Sequence, residues 1–320
     1  MRCRVYRSAL GALLLTVLAA GQQQAPPPKS PAPAPAPAVQ EDQPTKFTTA
    51  VTVVSMAFSV SDNKKRFVTG LAKEDFDVFE NGKQQTIKEF TAEPTLPLRV
   101  AILIDTSNSI RERFRFEQEA AGVFLSDLLR TNADKGMVIS FDSTAQVVTG
   151  LSDDVDKLST AIKDLRPGGG TALYDALRLA SEKLSAEQPS YQFRRMIVVV
   201  SDGDDNQSRS TRDQALESVQ QADAFIYAIS TNNLNKGDSD GDKVMRYFAQ
   251  QTGGRSFFPF QMQDLSQNFD VIAEEVRHQY NIVYTPEPLI NDGQFHKVEI
   301  KVRGHKELTV RARAGYFARK

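Results

Sequence analysis

The chain has 320 residues, 40% of them apolar and 25% charged, with a formal net charge of -1. That length supports one large core or two moderate ones. Without the first 21 residues, which hold Arg2, Arg4 and Arg7 and no acid, the charge is -4, and no basic run follows; nucleic-acid binding is excluded on that ground.

MRCRVYR followed by SALGALLLTVLAAG reads as a basic leader with an apolar stretch too short to span a bilayer, a signal peptide over 1–21. It predicts a secreted or periplasmic protein with no transmembrane segment in the mature chain. The sole cysteine, Cys3, falls inside the leader, so no disulfide is expected. Residues 22–44 alternate Pro and Ala, a composition that favours extended polyproline II and makes a semi-rigid linker.

Residues 45–93 have strand character: Val51, Val53 and 56–60 are β-prone, Phe76, Val78 and Glu80 alternate with Asp77 and Phe79, and Asn81-Gly82 signals a hairpin whose returning arm is QTIKEF. Pro94 and Pro97 then mark a boundary. Over 97–278 the pattern changes to unbroken apolar runs separated by amphipathic stretches, which predicts an α/β domain: a doubly wound, mainly parallel sheet with flanking helices. The runs 100–104, 137–141, 196–200 and 224–230 read as buried strands, with a further short strand in SFFPF. Helices are expected over 114–129, with Phe116, Ala120, Phe124 and Leu128 on one side, around Leu158, Ile162 and Leu165, over 174–184, in VMRYFAQQTGG and in DLSQNFDVIAEEVRHQ.

In open α/β sheets, sites form outside the carboxyl ends of the strands. Asp105, Ser107 and Ser109 follow the first strand, Thr171 closes the Gly-rich turn GGGT, and Asp202 follows the strand 196–200. Taken singly, each has a plain structural reading: the serines as caps, Thr171 as a helix N-cap, Asp202-Gly203 as a turn. Together they are two carboxylates and three hydroxyls on three convergent loops. Such hard oxygen donors suit Mg²⁺, with Ca²⁺ or Mn²⁺ as lesser alternatives, and leave room for a carboxylate from a protein partner. Asp204, Asp205 and Asn206 read as solvated turn or rim residues. DSDGD, 238–242, lacks the closing glutamate of a calcium loop and reads as a mobile surface loop.

DTSNS, GGGT and SDG at these separations resemble the metal-ion-dependent adhesion site of von Willebrand factor type A (VWFA) domains. The resemblance implies a metal held by Ser107, Ser109 and Thr171, with Asp105 and Asp202 largely acting through water. More widely, 45–320 resembles the exported VWFA-related proteins common in acidobacteria, in which phrases like TGLAKEDFDVFENGKQQTIKEF and VRARAGYFARK flank the domain. The general role implied is divalent-cation-dependent protein binding.

The last segment, 279–320, alternates at 295–302 and 308–313 around a Gly304-His305 turn and reads as a hairpin-like tail. It is too small to hold a core alone, as is 45–93, so the two are expected to pack as one small β-sandwich-like module.

A cation-dependent binding module is thus the leading expectation. A magnesium-dependent phosphoester hydrolase and a structural envelope protein are the alternatives. The chain is expected not to be an enzyme: His278, His296 and His305 all lie at or beyond the last helix of the α/β domain, and no G-x-S-x-G elbow is present. A nucleotide site is excluded because GGGT has no following Lys-Ser/Thr pair.

Overall fold

The computed structural model describes residues 53–92, 96–186, 193–232, 239–259 and 263–318. The leader and the Pro/Ala segment lie outside the described residues. Among the described residues no helix is long and apolar enough to cross a membrane.

Among the described residues, three sheets organise the fold. The largest has six strands in the order β10-β9-β8-β5-β6-β7, β10 being the short strand Ser256–Phe257. At its centre is β5 (Leu98–Asp105), buried along its whole length because both faces are covered. It pairs in parallel with β6 (Lys135–Phe141) and β8 (Arg194–Ser201), and β8 pairs in parallel with β9 (Ala224–Ser230). The residues of β5 divide strictly by face. Val100, Ile102 and Ile104 pack with α1 (Phe114–Leu128), α2 (Val155–Lys163) and α6 (Gln263–Arg277). Ala101 and Leu103 pack with α3 (Leu173–Ser185), α4 (Arg212–Gln221) and α5 (Asp240–Thr252). This is the doubly wound α/β architecture expected, with Ala120, Phe124, Leu128, Leu158 and Ile162 buried as their spacing predicts.

Two elements of this domain differ from the sequence reading. An antiparallel edge strand, β7 (Ala145–Ser152), follows β6, and register shifts interrupt its pairing. Its residues Gln146, Val147 and Val148 are all exposed, so it shows no buried run and no clean alternation. Helix α4 offers only Ala215, Leu216 and Val219 to the core along an otherwise polar stretch, too few to announce a helix. What starts it is Thr211, whose hydroxyl accepts from the Gln214 backbone N–H while the Gln214 side chain accepts from the Thr211 N–H.

The two smaller sheets are antiparallel, four strands each, in the orders β13-β1-β11-β4 and β14-β12-β2-β3. Both mix strands from the two ends of the described chain: β1 (Val54–Ser61) lies between β11 (Gln279–Tyr284) and β13 (Thr309–Ala312), and β12 (Phe295–Val302) lies between β2 (Phe76–Glu80) and β14 (Gly315–Phe317). Their inner faces share one core containing Met56, Phe58, Val78, Tyr280, Ile282, Val298 and Ile300, the expected sandwich-like module. Asn81 and Gly82, both at positive φ, make the β2–β3 turn.

The Asn81-Gly82 hairpin forms with a short returning arm, and the strands on either side of the tail turn part. The partner of β2 is the three-residue β3 (Lys83–Gln85), after which Ile87–Ala92 crosses to the other sheet as β4 and pairs with β11. In the tail, β12 and β13 likewise enter different sheets across the Gly304 turn. Neither hairpin would bury an apolar face by itself, whereas splitting each between two sheets closes a shared core.

Candidate functional site

Asp105 is the last residue of β5 and is fully buried. One carboxylate oxygen accepts the Ser107 backbone N–H at 2.8 Å, a tight Asx turn that sends the chain back over the strand end. The other accepts the Ser201 hydroxyl at 2.6 Å from the neighbouring strand end of β8. Ser201 in turn accepts the Gly203 N–H at 3.0 Å, which bends the chain immediately after Asp202.

Three of the expected site residues form a continuous chain. The Ser107 and Ser109 hydroxyls are 2.9 Å apart, and Ser109 donates to Asp202 Oδ2 at 2.5 Å. Asp105 joins them through Ser107 and Ser201. Thr171 is buried and enters by its backbone: its N–H donates to Asn206 Oδ1, and its carbonyl accepts the N–H groups of Asn206 and Gln207, each at 3.0 Å. Among the described residues its hydroxyl makes no hydrogen bond to the other four. The Gly-rich loop is laced to the first loop, with Gly168 N–H donating to Thr106 O at 2.6 Å and Asn108 Nδ2 to Gly169 O at 3.2 Å. A β-carbon at Gly170 would lie 2.6 Å from the Gln207 side chain, so that approach favours a glycine.

Two expectations are corrected here. Among the described residues, no group of three or more His, Cys, Asp or Glu side chains is placed to hold a metal ion. The site has two carboxylates, and its oxygens are turned on one another: Ser109 is spent on Asp202, Ser107 on Ser109, and both Asp105 oxygens on donors of the chain. The Mg²⁺, Ca²⁺ or Mn²⁺ site expected from the motif is therefore overturned. With it goes the partner carboxylate, since Asp105 and Asp202 would repel an acidic group that no cation offsets.

Asp205 and Asn206 have structural roles. Asp205 accepts the Tyr174 N–H at 2.9 Å near the start of α3, and Asn206 holds Thr171, so both tie loops where solvated turn residues were expected. The expected mobile loop at DSDGD is, within the described residues, the start of a helix. Ser239 caps α5, and Asp242 is fully buried, accepting from Ser230 Oγ at 2.6 Å and Asn232 Nδ2 at 2.9 Å. The same Asn232 nitrogen donates to the Asp202 carbonyl at 2.7 Å, which couples α5 to the site.

Sequence reasoning missed Ser201 and Glu117. Ser201 was legible as the residue preceding Asp202 at a strand end; Glu117, on α1, carried no signal. Glu117 is 1% exposed, and among the described residues neither carboxylate oxygen has a hydrogen-bond partner. Burial pushes it up to about 8, the Arg113 charge opposing and the Asp105 and Asp202 charges adding. Burial likewise raises Asp105 to about 6, against the hydrogen bonds from Ser201 and Ser107. Acids raised in the folded state bind protons more tightly there than in the unfolded chain, so both cost stability as pH rises through these values. Replacing Glu117 by Leu is expected to stabilise the protein at pH 7 by about 1–3 kcal/mol and to flatten its stability between pH 5 and 8. Urea unfolding across that range checks this, and destabilisation would refute it.

A parallel sheet wrapped by helices on both faces, with hydroxyl- and carboxylate-bearing loops at its strand ends, defines an α/β module whose loops rather than its core carry specificity. Residues 100–205 match the family model of the von Willebrand factor type A domain, and a VWFA domain is present in this chain. Proximal thread matrix protein 1 from the mussel byssus is similar in fold, with 16% identity over 62% of this chain and 51% of that one, at a TM-score of 0.50. A von Willebrand factor type A protein from Catenulispora acidiphila aligns over 86% of this chain and 76% of its own, at 16% identity and a TM-score of 0.49. The PilB minor pilin from Streptococcus sanguinis aligns at 14% identity over 58% of this chain, with a TM-score of 0.46, and this chain spans 62% of the pilin's length. No curated protein matches the sequence.

Proposed function

We propose that this chain is a non-catalytic protein-binding module that engages its partner through the loop face at the carboxyl ends of β5 and β8. Asp105, Ser107, Ser109, Thr171 and Asp202 form or support that face. The observation that carries this reading is the Ser109–Asp202 hydrogen bond, which joins loops 93 residues apart at a point where Ser109 is exposed. Pre-organised polar loops on a rigid sheet lower the ordering cost of association. The partner group that suits a face of carboxylates and hydroxyls is a hydrogen-bond donor or a basic side chain of a protein.

A catalytic reading gains no support, because the histidines stand elsewhere: His278 follows α6, His296 is inside the sandwich and His305 is on the tail turn. The basic and apolar opening residues and the Pro/Ala spacer support export to the periplasm or the cell exterior, in the manner of the bacterial VWFA-related proteins. The VWFA domain, 97–278, is in this reading an insertion between 45–93 and 279–320.

The test is a pull-down with envelope extract comparing the native chain, Asp202→Lys at the face, and Glu299→Lys on the exposed side of β12. Capture by the native chain and Glu299→Lys, with at least about a tenfold loss for Asp202→Lys, is expected, equivalent to about 1.4 kcal/mol. Equal capture by all three would remove the loop face from the mechanism.

A further inference from the structure

A second cluster of ionisable groups lies inside the β-sandwich, on the terminal segments. Glu80, at the end of β2, is 6% exposed, and three side chains meet its carboxylate. His296 Nδ1 at 2.6 Å and the Tyr316 hydroxyl at 3.0 Å reach Oε1, and the Tyr284 hydroxyl reaches Oε2 at 2.8 Å. They stand on β12, β14 and β11, so one carboxylate of the N-terminal segment is held by three strands of the C-terminal segment. On the far side of the imidazole, Nε2 faces Asp292 Oδ1 at 3.3 Å, in the loop that precedes β12.

The ring therefore lies between two carboxylates. A neutral imidazole has one N–H and can donate to only one of them; the other nitrogen then turns a lone pair toward a carboxylate oxygen. Only the imidazolium satisfies both contacts.

We propose that His296 is a proton-operated clasp between the N- and C-terminal segments: doubly protonated, it ties β2 to the loop before β12, and loss of one proton releases Asp292.

The surroundings support this. The groups facing the ring are Glu80 from β2, Asp292 from the loop and Tyr316 from β14, whose ring centroid is 5.5 Å away, with Tyr284 from β11 reaching it through Glu80. Arg313, farther out, is committed to Asp223 at 2.7 Å. Burial opposes the charge on His296, but the hydrogen bonds to Glu80 and Asp292 and their charges outweigh it and hold the imidazole above its ordinary range. Burial, and after it Glu80, pushes both tyrosines upward, so they remain donors throughout. A cation whose folded pKa exceeds its unfolded value of about 6.5 contributes stability that is complete below that pH and is lost as pH rises through the folded value. The clasp is thus closed in mildly acidic surroundings and opens toward alkaline pH. The loop stays attached at its start, where Glu287 N–H donates to Gln85 Oε1 at 2.8 Å, so the release is confined to the part that carries Leu289, Ile290 and Asp292.

The experiment is an NMR titration of the His296 ring protons in the full chain, with thermal unfolding measured from pH 5.5 to 8.5, for the native protein and for Asp292→Asn. Asp292 is partly exposed and outside the core, so this variant tests the clasp without removing the buried carboxylate. A native midpoint above about 6.5, lowered by about 0.5–1 pH unit in Asp292→Asn, is expected. The melting temperature should fall with rising pH in the native chain and fall less in the variant, while amide exchange at 289–292 speeds up above the midpoint. A native midpoint at or below 6.5, or a variant with the native midpoint and the native pH slope, would overturn the proposal.

Discussion

Gly203→Ala is expected to cost about 3–5 kcal/mol of stability and to disable the loop face, the largest effect of any single methyl group near the site. Gly203 has a φ of +80°, a left-handed conformation that alone costs a residue with a β-carbon about 1–2 kcal/mol. The added carbon would also lie 2.3 Å from the Gly241 carbonyl oxygen and 2.6 Å from its carbon. These are backbone atoms in the first turn of α5 and cannot swing aside as a side chain would. The approach is mutual, since a β-carbon on Gly241 would lie 2.2 Å from the Asp202 carbonyl oxygen. Relief requires moving either the Asp202 loop or the start of α5. The second is held by the buried Asp242 and its bonds to Ser230 and Asn232. Gly70→Ala isolates the contact from the conformation: Gly70 has a φ of +81° with nothing within 4 Å of its added carbon. Chemical denaturation of both variants should show the Gly203 change costing at least about 2 kcal/mol more. Equal losses would mean that the loop–helix approach is soft.

Asp134→Ala is expected to cost about 2–3 kcal/mol, because it leaves the buried Leu98 N–H without its acceptor and unties Arg130 at the other end of the sheet. Asp134 is fully buried and accepts four hydrogen bonds: Leu98 N–H at 2.7 Å, Arg130 N–H and Nε both at 2.9 Å, and Arg130 Nη2 at 3.0 Å. The Leu98 bond fastens the first residue of β5 to the turn that leads into β6, so the central strand of the domain is anchored here. Burial alone would raise this carboxyl. The bonds from Arg130 and Leu98 outweigh it and hold it below its ordinary value of 3.8. A lowered acid contributes stability that is present above about pH 4 and lost as pH falls through the folded value, so the native protein and Asp134→Ala should converge only in strong acid. Urea unfolding at pH 7 and pH 3 checks both statements. A penalty at pH 3 as large as at pH 7 would show that packing, not charge, holds the turn.

These two positions differ in how far sequence reading reaches them. Gly203 sits in the SDG phrase that marks a strand end, so a turn was foreseeable; that the turn is pressed against α5 was not, because the contact depends on where a helix 37 residues later begins. The helical start within DSDGD depends on the same kind of distant contact. Its acids looked solvated, yet Asp242 is buried by partners on β9 and in the loop after it. Asp134 gave no signal, since an acid before a strand is ordinary until its donors are in place.

The convergence of the loops was legible because strand ends in a parallel sheet share one edge of the domain, so apolar runs that stop at Asp105 and Ser201 must bring their loops together. Which oxygens face which was not legible. Hydroxyl and carboxylate donors can be turned toward an outside ion or toward each other, and the choice rests on separations of a few tenths of an ångström. The expected cation, and the acidic partner it implied, were lost on that point.

By itself, the sequence determined the α/β class, the buried run of β5 and the convergence of three loops. All of these follow from local patterning: unbroken apolar runs, helical spacing and turn residues act within a few positions of one another. Tertiary structure alone decided the rest: the assignment of the terminal strands to two sheets, the burial of Glu80 beside His296, the burial of Glu117 and the closure of the site oxygens on themselves. Each is a contact between residues far apart in the chain, where burial rather than local preference sets the energy.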